Sequence, residues 1–141
     1  MTPDTPAQTP PARIFVPALL AALGVAGMSA IWVIIALILD RQCAWMAVAA
    51  AIDIGLLLRV GRAAPGRGRA IATLAGTLAT AFVANWTIAA SEIGFPLGLT
   101  LGEALQRLGP HHAQTLLGLA NRPTEWALYA IAAAVAWWWG R

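Results

Sequence analysis

Apolar residues fill four long runs in this chain, and polar residues are confined to the breaks between them. The first run, residues 14–39, reads "IFVPALLAALGVAGMSAIWVIIALIL". At about 1.5 Å per residue a helix of this length crosses a hydrocarbon layer of about 30 Å with some tilt. Pro17 falls near its start, where a missing N–H does least harm. "DRQ" ends the run. A shorter second run covers 44–60, a third 70–95, and a fourth, "EWALYAIAAAVAWWWG", 125–140. The pattern predicts an all-α membrane protein with four transmembrane helices in one domain, 14–141.

The segment between the third and fourth runs is too polar to cross. Thr100-Leu101-Gly102-Glu103 has the Thr-x-x-Glu spacing of a capping box. Leu101, Ala104, Leu105 and Leu108 then recur at helical spacing, and Gly109-Pro110 closes the helix. A second apolar set, Ala113, Leu116, Leu117 and Ala120, ends at Asn121-Arg122-Pro123. Two short amphipathic helices are expected. They either lie on the membrane surface or fold down as a cap over the bundle. Residues 1–13, "MTPDTPAQTPPAR", have no apolar periodicity and are expected to form a disordered tail. The run that follows them is too long for the core of a cleaved signal peptide, typically about 7–15 residues. No internal repeat is evident.

Composition sharpens the membrane reading. Of the 141 residues 60% are hydrophobic and only 11% charged, against roughly 25% charged in an ordinary soluble domain. The mean hydropathy is +0.71. All nine basic residues are arginine, and the net charge is a small +3. They form no basic face with interleaved aromatics, so nucleic acid is not an expected partner. Four of them, Arg59, Arg62, Arg67 and Arg69, gather around the turn "VGRAAPGRGRA". Short arginine-rich loops stay on the cytoplasmic side. With this loop inside, four spans place both termini inside. Six arginines then lie inside (13, 59, 62, 67, 69 and 141) and three outside (41, 107 and 122). Asp40, Glu92, Glu103 and Glu125 all fall outside. Trp45 and Trp126 near one boundary, and Trp137, Trp138 and Trp139 near the other, fit the interfacial preference of indole. Trp32 and Trp86 lie deeper and need packing partners.

Candidate chemistry is sparse. Asp53 lies about seven residues, or roughly 10 Å, from the cytoplasmic end of the second run. A carboxylate at such depth costs about 2.5–3.5 kcal/mol or more. It is either a proton or cation site or a structural acid. A structural acid would be hydrogen-bonded to a neighbouring helix, with Thr77 the nearest candidate, or to Arg59 or Arg62 reaching back. Thr73, Thr77, Thr80, Ala84, Thr87 and Ser91 form one stripe on the third run. Such a stripe either lines a polar groove or forms a close helix interface in which threonine hydroxyls bond to carbonyls. Asn85 adds an amide near mid-membrane and is expected to make an interhelical contact. Ala18, Ala22, Ala26 and Ala30, and likewise Ala47, Ala51 and Gly55, are small residues four apart that permit close helix approach. Cys43 is alone and reads as a small buried residue. His111-His112 point about 100° apart on a helix and make a poor metal pair. No metal, cofactor or catalytic residue is expected, and no pattern supports an enzyme.

The order of features has a likeness. A long first span, a tryptophan before a short second span, the "GRGR" turn, a third span and a final "EWALYAIAAAVAWW" resemble four-span bacterial inner-membrane proteins of uncharacterised activity. The similarity covers most of residues 14–140. It implies location in a bacterial inner membrane and no activity. Two functions remain in view. One is a structural or accessory protein packing with itself or a larger membrane complex. The other is a small oligomeric transporter or flippase that uses Asp53 and the threonine stripe.

Overall fold

A computed structural model describes residues 12–109, 115, 118 and 122–141. The described elements are helical: α1 (Ala12–Leu39), α2 (Met46–Val60), α3 (Arg67–Gly94), a 3-10 turn (Phe95–Leu97), α4 (Leu101–Arg107) and α5 (Pro123–Gly140). The all-α expectation holds among the described residues. The second amphipathic helix expected between the third and fourth runs, and His111-His112, lie outside them.

Two helices are long and apolar enough to cross a membrane: Ile14–Leu39, and Arg67–Leu97 taken with its 3-10 extension. The expectation of four such helices is corrected to two by this measure. α2 has 15 residues and rises about 22 Å, short of a hydrocarbon layer of about 30 Å. α5 has 18 residues, but its first turn holds Glu125 and its last holds three tryptophans. Only 28% and 33% of the most apolar windows of the two long helices are buried. Leu23, Ile38, Leu78 and Phe82 stand out from the protein, as does Trp138, which is 80% exposed.

α2 and α3 form the central pair, with α1 packed on both from one side and α5 on both from the other. α1 and α5 meet through Trp32 and Tyr129, whose ring centroids are 6.4 Å apart. Small residues set the close approaches. A Cβ on Gly140 would come within 2.7 Å of the Ala70 Cα, and one on Gly55 within 2.5 Å of the Trp139 ring. Ala47, Ala51 and Gly55 are buried, as their spacing predicted. The matching stripe on α1 is not: Ala18, Ala22, Ala26 and Ala30 all face outward. α1 instead turns Gly24, Ser29, Trp32 and Ala36 inward. Its sequence is apolar all round, so no amphipathic phase distinguishes the packed face from the exposed one.

The connections are tight. α1 ends with Asp40 in the left-handed region (φ 50) and the Arg41 N–H bonded to the Ala36 carbonyl, a Schellman closure. α2 ends in the same way. Arg62 takes the left-handed position (φ 60), its N–H reaches the Arg59 carbonyl, and the Ala63 N–H reaches Leu58. For a residue with a Cβ that position costs about 1–2 kcal/mol. α3 begins at Arg67, three residues before the expected start, so Arg67 and Arg69 belong to the helix rather than to the loop.

The capping box at Thr100 is present as its spacing predicted. The Thr100 main-chain N–H and hydroxyl both donate to the Glu103 carboxylate (2.9 and 2.8 Å), and the Glu103 N–H returns to the Thr100 hydroxyl oxygen. These bonds, the main-chain one first, hold the Glu103 carboxyl below the usual carboxylate range. A depressed folded pKa means that the cap is fully formed above the ordinary glutamate range and is lost as pH falls through the lowered value. α4 ends at Arg107, one residue early, because Leu108 is extended.

Candidate functional site

Near the end of the bundle that holds the α1–α2 turn, side chains from three helices and the turn converge on Asn85. The turn bends inward because the Trp32 indole N–H donates to the Gln42 carbonyl at 2.9 Å. Gln42 then points its side-chain amide at α3 and donates to the Asn85 carbonyl oxygen. The Asn85 amide donates to the Ala81 carbonyl (2.7 Å), four residues earlier on its own helix. The Tyr129 hydroxyl, from α5, lies 3.1 Å from the Asn85 amide nitrogen and 3.2 Å from its carbonyl oxygen. Trp32 also packs beside Tyr129, and Trp126 meets Tyr129 edge-on at 5.9 Å. Asn85 and Trp32 are buried. Beside the network, between α3 and α5, is an open cavity of about 270 Å³. Thr77, Asn85 and Tyr129 are its polar residues and Leu78, Phe82 and Trp126 give much of its apolar wall.

Among the described residues the network is built of amides, an indole and a phenol. Its chemistry is that of a lock: it fixes the turn, α3 and α5 in one register. Asn85 makes the interhelical contact expected of it. Gln42 and Tyr129 were not singled out from the sequence. The available signals were slight: Tyr129 is the one tyrosine of the chain, and Gln42 sits in a polar break beside a helix end.

The threonine stripe faces the interior. Thr73, Thr77, Thr80, Ala84 and Ser91 are buried. The hydroxyls bond within their own helix: Thr73 to the Arg69 carbonyl, Thr77 to Thr73, Thr80 to Gly76, Thr87 to Val83 and Ser91 to Thr87, all at 2.8–2.9 Å. An interhelical bond also reaches the stripe, from the Ser29 hydroxyl to the Thr80 carbonyl at 3.4 Å. Thr77 and Thr80 therefore have their donors already engaged, and Thr77 also borders the cavity beside Asn85.

Asp53 is not brought to that stripe. It lies on the face of α2 that meets α1, and a Cβ on Gly24 would sit 3.3 Å from its Oδ2. The expected bond to Thr77 is absent because the Thr77 hydroxyl donates to Thr73. Nor does arginine reach back. Arg59 donates to the Trp139 carbonyl at 2.6 Å and stacks on the Trp139 ring, 4.3 Å from its centroid. Asp53 is half-buried and, among the described residues, has no hydrogen-bond or ion-pair partner.

The four loop arginines divide into two pairs. Arg59 and Arg69 clamp the end of α5. Arg69 donates to the Gly140 carbonyl (2.8 Å), the Arg141 main-chain oxygen (2.6 Å) and the Ala63 carbonyl (3.4 Å). Cations at a helix C-terminus complement its unsatisfied carbonyls and dipole. Arg62 and Arg67 are exposed and make no such bond. Cys43 is buried and unpaired, in a left-handed conformation (φ 52). No group of three His, Cys, Asp or Glu side chains suited to a metal occurs among the described residues. No family model, curated protein or solved structure matches the chain.

Proposed function

We propose that this is a multi-pass protein of a bacterial inner membrane whose role is structural or accessory. In this reading α1, α2, α3 and α5 all cross, the arginine loop and both termini face the cytoplasm, and α4 lies on the outer side. The carrying observation is the pairing of an outward apolar surface with a sorting of charge to the two ends. Arg59, Arg69 and Arg141 meet at the end of α5 that holds the loop, whereas Arg41 and Glu125 line one pocket at the opposite end. The short α2 and α5 fit a bilayer by local thinning, at a cost of fractions of a kcal/mol per Å. The outward alanine stripe of α1 leaves a surface on which a partner helix, from a second copy or a larger complex, can approach closely.

Single cysteines at Pro65 and Gly102, in a Cys43→Ala background, test the topology. An impermeant maleimide is expected to label Gly102→Cys in intact spheroplasts and Pro65→Cys only after lysis. The opposite pattern, or release of the chain by alkaline carbonate, overturns the reading. One observation favours the second reading, a small oligomeric transporter or flippase: Asp53 has no hydrogen-bond or ion-pair partner among the described residues. The threonine stripe lends it no donors. Proton flux in proteoliposomes that vanishes in Asp53→Asn would establish that reading in place of the first.

A further inference from the structure

At the arginine end the bundle does not close. An open trough of about 490 Å³ lies between the first turns of α1, the end of α2 and the start of α3. Its volume is that of a small-molecule site. Ile14, Pro17, Ala18, Leu58 and Ala72 give it apolar walls, and Arg62 and Arg69 are its charged side chains. No acid lines it.

The two guanidinium groups are in different states. Arg69 has its donors committed to three main-chain oxygens. Arg62 has none committed among the described residues, although the chain holds it in a left-handed conformation that disfavours any residue with a Cβ. Gly68, in the first turn of α3, also borders the trough, and the N-terminus of α3 has no side-chain cap. Its first N–H groups therefore have no intrahelical partners.

An apolar trough rimmed by an uncommitted guanidinium matches one ligand chemistry, a phosphate monoanion or diester joined to a hydrocarbon chain. A guanidinium binds phosphate oxygens in pairs, and anionic lipid is concentrated where this loop is placed. We propose that the trough is a binding site for one anionic phospholipid. Its phosphate sits on Arg62 beside Gly68, and an acyl chain lies along Pro17, Ala18, Leu58 and Ala72. The proposal rests on the membrane reading above.

The test is native mass spectrometry of the protein purified in detergent from alkaline-washed membranes, titrated with phosphatidylglycerol or phosphatidylcholine. Recovery from that fraction checks the membrane reading separately, before any lipid is added. One phosphatidylglycerol is expected to bind, with an affinity about tenfold or more above that of phosphatidylcholine, the scale of a charge-assisted bond. Arg62→Gly suits the left-handed position, so it should keep the thermal stability and lose that preference. Arg67→Ala, outside the trough, should keep the preference. Ala72→Phe should block binding with every charge in place. Equal binding of the two lipids, or equal losses in Arg62→Gly and Arg67→Ala, would reduce the site to general surface attraction and overturn the proposal. So would unchanged binding in Ala72→Phe, or displacement of the lipid by millimolar inorganic phosphate.

Discussion

Asn85 and Asp53 are nearly the same shape, and each interrupts an apolar helix, "ATAFVANWTI" in one case and "AVAAAIDIGLLL" in the other. Their surroundings differ completely. Asn85 sits where α3 meets both the α1–α2 turn and α5, and each neighbour supplies a group of complementary polarity: the Gln42 amide and the Tyr129 hydroxyl. Asp53 meets α1 at Gly24, and α1 has no hydrogen-bonding side chain between Ala18 and Met28. The amide is neutral and engaged on both of its ends; the carboxyl is ionisable and, among the described residues, without a partner. A polar residue in an apolar helix thus takes its role from what the neighbouring helices offer it. Its own depth and identity set only the cost of leaving it unsatisfied.

The sharpest way to break this contrast is at Asn85. Asn85→Leu leaves the Gln42 amide and the Tyr129 hydroxyl without their shared partner. A loss of about 1–3 kcal/mol is expected, the scale of a polar group deprived of its partner. Thermal unfolding in detergent reads it as a clear fall in Tm. An unchanged Tm would show that the network is not a lock.

A smaller effect is expected from Tyr129→Phe, which removes one hydroxyl and keeps the ring against Trp32 and Trp126. Hydrogen bonds inside membrane proteins contribute about 0.6 kcal/mol on average, and a loss of that order is predicted. A double-mutant cycle with Gln42→Ala should show coupling, because both side chains act through Asn85. Strict additivity would mean that each bonds independently.

The smallest effect is expected at Asp53. Neither Asp53→Asn nor Asp53→Leu removes a hydrogen bond, so stability should stay within about 0.5 kcal/mol of the parent. A loss as large as that of Asn85→Leu would place a partner on Asp53 and erase the contrast. The same two variants separate stability from flux in the transporter reading, since a proton site would lose flux at constant Tm.

What could be read along the chain was whatever depends on a few consecutive residues. The apolar runs mark α1, α2, α3 and α5 to within about three residues at each end, because helix formation and its termination at Asp40, at Gly61 and before Pro96 are local matters. The Thr100–Glu103 cap was legible for the same reason, as its donors and acceptors lie three residues apart. The bonds of the threonine stripe to carbonyls of its own helix were legible too, since a hydroxyl can reach the carbonyl four residues back. Rotation about each helix axis was not legible. The stripe of α1 at Ala18, Ala22, Ala26 and Ala30 has the right spacing for packing, yet it faces outward, while Gly24 and Trp32 turn in.

The reason is physical. In a chain whose exposed and buried helix faces are both apolar, hydrophobicity does not say which face of a helix packs. That choice belongs to pairings distant in sequence, and only the tertiary structure decides them. Gln42 finds Asn85 43 residues away, Tyr129 finds it 44 away, and Arg69 reaches the end of α5 71 residues on. The sequence determined that there are helices, where they stop and which end carries the arginines. The fold decided that Asn85 is held, that Asp53 is not, and that of four clustered arginines two clamp a helix while Arg62 is left facing an open trough.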